Sequence, residues 1–351
     1  MSVTDQDADS EAVMIAADRY TTALSSDGAT LAKVIATFGV VLTHSYKLFR
    51  YMGVQESEVF YLRGFHAFAA CGVTVFFLLS GYFLVFKGNW DYKKNLKKKF
   101  KSLVIPYCLF MLNYALISMV GSLVLPAFFD DFRQFTAHDW LMHLFGIPFV
   151  TEPNYYGPLW FIRELVVLNI LSVALVPAVK RIPDYLLIPP MVVIYFLPIS
   201  RLIRYSIPFF IVGMCFGFKK YIPVLNKLVY GLFILIIGFL IPVLFEGELS
   251  WKISVLLMAI SIVLISGKLI ENSNVKKMAQ TAIPLSFPVY LLHEYPMTTL
   301  TRLLAMKHIS VFQATVAFFV LPFFVIGICV LVVIIWKRFA PRTYSIFMGN
   351  R

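Results

Sequence analysis

Ten apolar stretches follow one another along this chain, and no connection between them is long enough to hold a soluble domain. They cover residues 29–48, 66–86, 103–125, 158–179, 185–200, 205–218, 228–245, 250–270, 282–301 and 311–336. A bilayer core about 30 Å thick takes about 20 apolar residues to cross as a helix. In lipid every backbone polar group has to be satisfied within the structure, which leaves helices and closed barrels. The chain is 60% hydrophobic and only 14% charged, with a mean hydropathy of +0.79, whereas soluble domains average about 25% charged residues. The expected fold is therefore all-α, a polytopic membrane helical bundle of about ten transmembrane helices. The fifth and sixth stretches are short, and Pro189, Pro190, Pro198 and Pro208 interrupt them. Tilted, kinked or partly re-entrant helices are expected there.

The loops set the orientation. Lys87, Lys93, Lys94, Lys97, Lys98, Lys99 and Lys101 lie between the second and third stretches, which places that loop in the cytoplasm by the positive-inside rule. Alternating from there, nineteen Lys and Arg fall on the inner side and nine in the outer loops, with both termini inside. The formal charge of +12 is thus a topology signal and a contact with lipid headgroups, not the mark of a nucleic-acid binder, since no basic domain stands apart from the spans. Residues 1–28 read as an acidic, flexible cytoplasmic tail that lacks the features of a signal peptide. Residues 29–340 form the ten-helix domain, and 341–351 a short cytoplasmic tail. Cys71, Cys108, Cys215 and Cys329 all sit in apolar runs without metal-ligand spacing and read as small buried hydrophobes. No metal site is expected.

Several spans carry ionisable residues, which are costly in a membrane and mark function by default. Lys33 and His44 are eleven residues apart in the first span. On a helix that is about 16 Å along the axis and only about 20° around it, so both share one face, with Thr37 between them. The topology puts Lys33 near the inner mouth and His44 in the outer half. His66 opens the second span from outside, where it reads equally as an interfacial anchor. Arg163 and Glu164 enter the outer half of the fourth span, either as an ion pair closing the bundle or as site residues. Ser286, Tyr290, His293 and Met297 share one face of the ninth, with His293 and Glu294 in its outer half. His138 and His143, in the long outer loop 126–157, have poor spacing for metal ligands and read as surface residues. Asn169 and Ser172 read as interhelical hydrogen-bonding groups.

Five motifs in consistent order resemble the acyltransferase-3 family of integral-membrane, acyl-CoA-dependent O-acyltransferases: LAKVIATFGVVLTH (31–44), GVTVFFLLSGYFL (72–84), LVIPY (103–107), GPLWFIREL (157–165) and SFPVYLLHE (286–294). The resemblance implies a bundle of about ten spans that takes an acyl group, often acetyl, from cytoplasmic acyl-CoA. The resemblance further implies delivery of that group to a hydroxyl on a surface glycan or related acceptor. The family's first span carries an arginine, ten residues and then a histidine; here the pair is Lys33 and His44. Lysine keeps the charge but not the planar fork that suits phosphate. Where the family tends to show paired arginines before the third span, this chain has Lys98, Lys99 and Lys101.

Chemistry and resemblance lead to one expectation. Acyl transfer to an alcohol needs a base for the hydroxyl proton and a site closed to water, which would hydrolyse the thioester. His44 is the expected general base, with His293 as the competing candidate. Glu164 or Glu294 would orient the imidazole, and Arg163 would stabilise the oxyanion or bind the acceptor. Lys33, with Lys98, Lys99 and Lys101, would hold the phosphates of acyl-CoA (acetyl-CoA), a co-substrate rather than a resident cofactor. The expected acceptor is a cell-surface polysaccharide or lipid-linked saccharide, and the expected location a bacterial inner membrane, among its lipids. A secondary transporter using its intramembrane charges is the alternative; no inverted repeat is visible to support it. The sequence carries no indication of oligomeric state.

Overall fold

A computed structural model describes residues 25–88, 90–124, 136, 157–219 and 228–350. The first 24 residues of the acidic tail lie outside the described residues. So do His138, His143 and all of the outer loop 126–157 except residues 136 and 157. Every regular element among the described residues is helical. In order these are α1 (Ser26–Ser45), α2 (Lys47–Met52), α3 (Arg63–Val85), α4 (Tyr92–Lys99), α5 (Ile105–Val124), α6 (Leu159–Arg181) and α7 (Asp184–Phe196). The series continues with α8 (Ile207–Lys219), α9 (Leu228–Leu244), α10 (Glu248–Leu269), α11 (Ser273–Leu292), α12 (Glu294–Met306), α13 (Val311–Phe339) and α14 (Pro341–Phe347).

Among the described residues seven helical segments are long and apolar enough to cross a membrane, and they correspond to seven of the ten apolar stretches. The fifth and seventh stretches form the shorter apolar helices α7 and α9. At 13 residues, α7 rises about 20 Å, less than the thickness of a bilayer core. The ninth stretch is divided: α11 ends at Leu292 and α12 begins at Glu294. Pro296 accounts for the division. It has no N–H to give the Leu292 carbonyl, and in α12 it falls in the first turn, where that N–H is not needed. The break falls at His293, which keeps helical dihedrals.

Caps fix several helix starts. Ser25 accepts from the Gly28 amide at 2.9 Å to open α1. Ser310 and Gln313 form a reciprocal capping box at the start of α13.

Helix α3 is central because it is small on two sides. A Cβ on Gly81 would meet the Phe210 carbonyl oxygen at 2.0 Å, and one on Gly213 would meet that of Leu78 at 2.0 Å. Gly213 and Gly217 form a small-xxx-small pair in GMCFG, which lets the α3 and α8 backbones touch. On its other side, a Cβ on Gly72 would come within 2.5 Å of the Ala36 carbonyl of α1. One buried cluster joins α1, α3 and α10 through Ala32, Ala36, Leu79, Met258 and Ile262. A second joins α1, α2 and α13 through Val41, Leu48, Phe49, Phe318 and Val325. These contacts hold α1 in the middle of the bundle, with Lys33 towards one end and His44 towards the other.

Candidate active site

Two helix breaks meet at the His44 end of the bundle. Helix α1 stops at Ser45, whose hydroxyl donates to the Leu42 carbonyl at 2.6 Å and reaches the Phe318 carbonyl of α13 at 3.1 Å. Beyond Tyr46 the chain resumes as α2, which carries Lys47. Opposite stands the His293 break, with Glu294 as the first residue of α12. A carboxylate at a helix N-terminus is favoured by the helix dipole.

Glu294 is buried and gathers three partners. His44 Nδ1 lies 2.9 Å from its Oε2. Lys47 Nζ donates to Oε1, and so does the Thr298 hydroxyl, at 3.0 Å. A carboxylate accepts only, so the hydrogen of a neutral His44 sits on Nδ1 and the lone pair on Nε2. His44 also forms part of the wall of a cavity of about 380 Å³.

His293 is fully buried beside it, the ring centroids 4.9 Å apart and meeting edge on. Its Nδ1 lies 2.8 Å from the Tyr290 carbonyl and 3.1 Å from that of Val289. Those acceptors put the hydrogen on Nδ1, and Nε2 is left buried with no hydrogen-bond partner among the described residues. Donor atoms of His44, His293 and Glu294 fall within 4.8 Å of one another, the grouping among the described residues that could hold a metal ion. Lys47 also pairs with that carboxylate, so the cluster as it stands is a carboxylate between an ammonium and an imidazole.

The other sequence candidates are distributed as follows. Glu164 is buried and serves elsewhere: it accepts from Arg201 Nε at 3.1 Å and from the Ser206 hydroxyl. Of the two carboxylates offered for His44, the structure brings Glu294 to it. Arg163 is buried on α6, and neither cavity described here includes it in its wall. His66 stacks flat on Tyr46 at 4.2 Å and packs at 4.7 Å against Trp251, which lines the His44 cavity. Asn169 bonds Asn95 of α4 at 3.2 Å, an interhelical role.

At the other end of α1, Lys33 and Lys99 line a second cavity of about 400 Å³, together with Ser286 and with Lys337 of α13. Lys98 and Lys101 are exposed and outside its wall. Tyr290 belongs to the walls of both cavities. Its ring packs with Phe161 at 5.6 Å and Phe76 at 6.3 Å, and those two rings are 5.6 Å apart. Three aromatic rings therefore stand where the two cavities approach.

Sequence reasoning missed Lys47, Arg201, Arg204, Lys252 and Lys337. Lys47 was legible as three residues, nearly one turn, beyond His44. Arg201 and Arg204 were legible as two cations three apart at the entrance of an apolar run.

A helical bundle with membrane-length apolar helices, a half-buried imidazole beside a buried carboxylate and a cavity at each end of one helix defines a multi-pass membrane protein with the means for group transfer. The family model for an acyltransferase domain matches residues 27–336, and the chain belongs to the acyltransferase-3 family. It is a membrane acyltransferase. Searches of curated proteins and of solved structures return no match to this chain.

Proposed function

We propose that the protein moves an acyl group, acetyl in the first instance, from cytoplasmic acyl-CoA to a hydroxyl of a cell-surface polysaccharide or lipid-linked glycan precursor in a bacterial inner membrane. One observation carries this reading. A single uninterrupted helix brings Lys33 to one cavity and His44 to another, and Tyr290 lies in the walls of both. The rise between the two residues, about 16 Å, is comparable to an extended pantetheine arm.

In this reading Lys33, Lys99 and Lys337 hold the donor's phosphates. The thioester reaches the His44 cavity past the Phe76, Phe161 and Tyr290 rings. His44 Nε2 takes the acceptor hydroxyl proton as the oxygen attacks the thioester carbonyl. The C–S bond then breaks, an ester C–O bond has formed, and the CoA thiolate leaves and is protonated. Glu294 holds the imidazole in the required tautomer and stabilises its charged form, the part a carboxylate plays beside a catalytic histidine.

The test is a set of variants assayed for acetyl transfer and for acetyl-CoA binding. A general base contributes about 10² to 10⁴ in rate, so His44→Gln and His44→Ala should both lose transfer by that order while binding acetyl-CoA nearly as the parent does. Lys33→Ala and Lys337→Ala should raise KM for acetyl-CoA more than they lower kcat, because they remove ground-state phosphate contacts. His293→Ala, run in parallel, separates the two histidines. A His44→Gln enzyme turning over within a few-fold of the parent would move the base to His293.

A further inference from the structure

The wall of the His44 cavity is charged in a way that acyl transfer alone does not require. Arg201, Arg204 and Lys252 line it, together with Trp160, Trp251 and Glu248. Three cations face two carboxylates, because Arg201 is held by Glu164, which is 1% exposed. Arg204 Nη1 and Lys252 Nζ then share a single carboxylate oxygen, Glu248 Oε1, at 3.1 Å and 2.9 Å. Lys252 is only 10% exposed, whereas Glu248 is 64% exposed. A nearly buried ammonium paired with a carboxylate that sits largely in water is poorly compensated. Lys252 has one further acceptor, the Phe196 carbonyl at 3.1 Å.

The remaining polar geometry suits an anion beside a flat ring. The Arg201 guanidinium stacks over Trp160 at 4.0 Å, which orients its fork. Guanidinium forks match carboxylate and phosphate oxygens, and Arg is preferred where such groups are bound. Trp160, Trp251, Tyr195 and Tyr205 supply apolar faces in the same wall, which a sugar ring can cover.

Resting on the acyl-transfer reading of this site, we propose that the acceptor is an anionic saccharide. Its carboxylate or phosphate displaces Glu248 from Arg204 and Lys252, which holds a hydroxyl of the same molecule near His44. Glu248 is then a built-in occupant that covers the cations until the acceptor arrives.

The experiment uses the full chain in a detergent without sugar headgroups. Three probes are titrated by calorimetry: methyl glucoside, methyl glucuronide and glucose 6-phosphate. A hydrogen bond to a charged group contributes enough for about a tenfold to hundredfold preference, so at least one anionic probe should bind tighter than methyl glucoside by that factor. The tighter of the two identifies the anion as carboxylate or phosphate. Arg204→Gln, at a one-third-exposed position where folding is not at stake, should bring the anionic probes down to the level of the neutral one. Glu248→Gln should tighten them by removing the internal competitor. Equal binding of all three probes by the parent overturns the proposal, as does an Arg204→Gln loss that is the same for neutral and anionic probes. Acetyl transfer to the same probes keeps the two readings apart. Equal transfer to methyl glucoside and to the anionic probes sinks the anion preference and leaves acyl-CoA transfer standing. Selective anion binding with no transfer to any probe supports the anion site and counts against the donor reading.

Discussion

Replacing Glu294 by Gln removes one charge and almost no volume. In the parent, Oε1 accepts from Lys47 and Thr298, and Oε2 faces His44 Nδ1. A glutamine has one oxygen and one NH2 to distribute. The NH2 cannot face the Lys47 ammonium, so the oxygen stays there and the NH2 turns towards His44. A donor at that position forces His44 Nδ1 to accept, and its hydrogen moves to Nε2, where the acceptor's proton has to go. The expected loss of acetyl transfer therefore approaches that of deleting the base, about 10² to 10⁴, or roughly 2.7–5.4 kcal/mol on the barrier. Stability should fall less. Breaking a buried ion pair costs about 3–5 kcal/mol, but Lys47 is 30% exposed and water screens it. The assay is single-turnover transfer of radiolabelled acetyl, with acetyl-CoA binding and thermal stability measured on the same preparation. The double variant Lys47→Gln/Glu294→Gln should recover stability without recovering transfer. A Glu294→Gln enzyme that is stable and transfers within a few-fold of the parent would refute the orienting role.

Two further outcomes follow from the fold. Gly213→Ala places a Cβ 2.0 Å from the Leu78 carbonyl oxygen, an overpacking that should cost about 1–3 kcal/mol. Gly327→Ala, where a Cβ would meet nothing within 4 Å, should leave thermal stability in detergent unchanged or slightly raised; equal effects at the two positions would contradict the close α3–α8 approach. In a variant freed of its four cysteines, a cysteine at Glu246 should react with an impermeant reagent in intact cells, and one at Lys97 should not. Labelling at Lys97 would reverse the proposed direction of acyl flow.

Composition and hydropathy were sufficient for the helical membrane fold, because lipid leaves the backbone so few choices. The Lys33–His44 relation was equally legible, since one continuous helix turns an eleven-residue spacing into a shared face. Glu294 was ambiguous against Glu164 because the choice depends on where α11 breaks and on which spans lie side by side. Hydropathy has no information about partners: GMCFG in α8 looks like any other apolar segment until it meets Gly81 of α3. Lys337 was legible only as one of many cations near a span end, and its place beside Lys33 and Lys99 comes from the packing of α13. Of the three histidines read as converging, His44 and His293 meet ring to ring, and His66 stacks on Tyr46 and on Trp251 of the same cavity wall.

The Phe76–Phe161–Tyr290 contact has a bearing on the energetics of the host cell. An enzyme that takes its donor from one face of a membrane and its acceptor from the other has to let a carbonyl group pass while holding back ions. Rings 5.6 to 6.3 Å apart form an apolar barrier whose one side-chain polar atom, the Tyr290 hydroxyl, donates to the Pro158 carbonyl, and on the proposed route an acyl group slipping between them replaces one apolar surface with another. If the proposed route holds, ester synthesis draws on the thioester alone, and the voltage and proton gradient across the bilayer should survive each turnover.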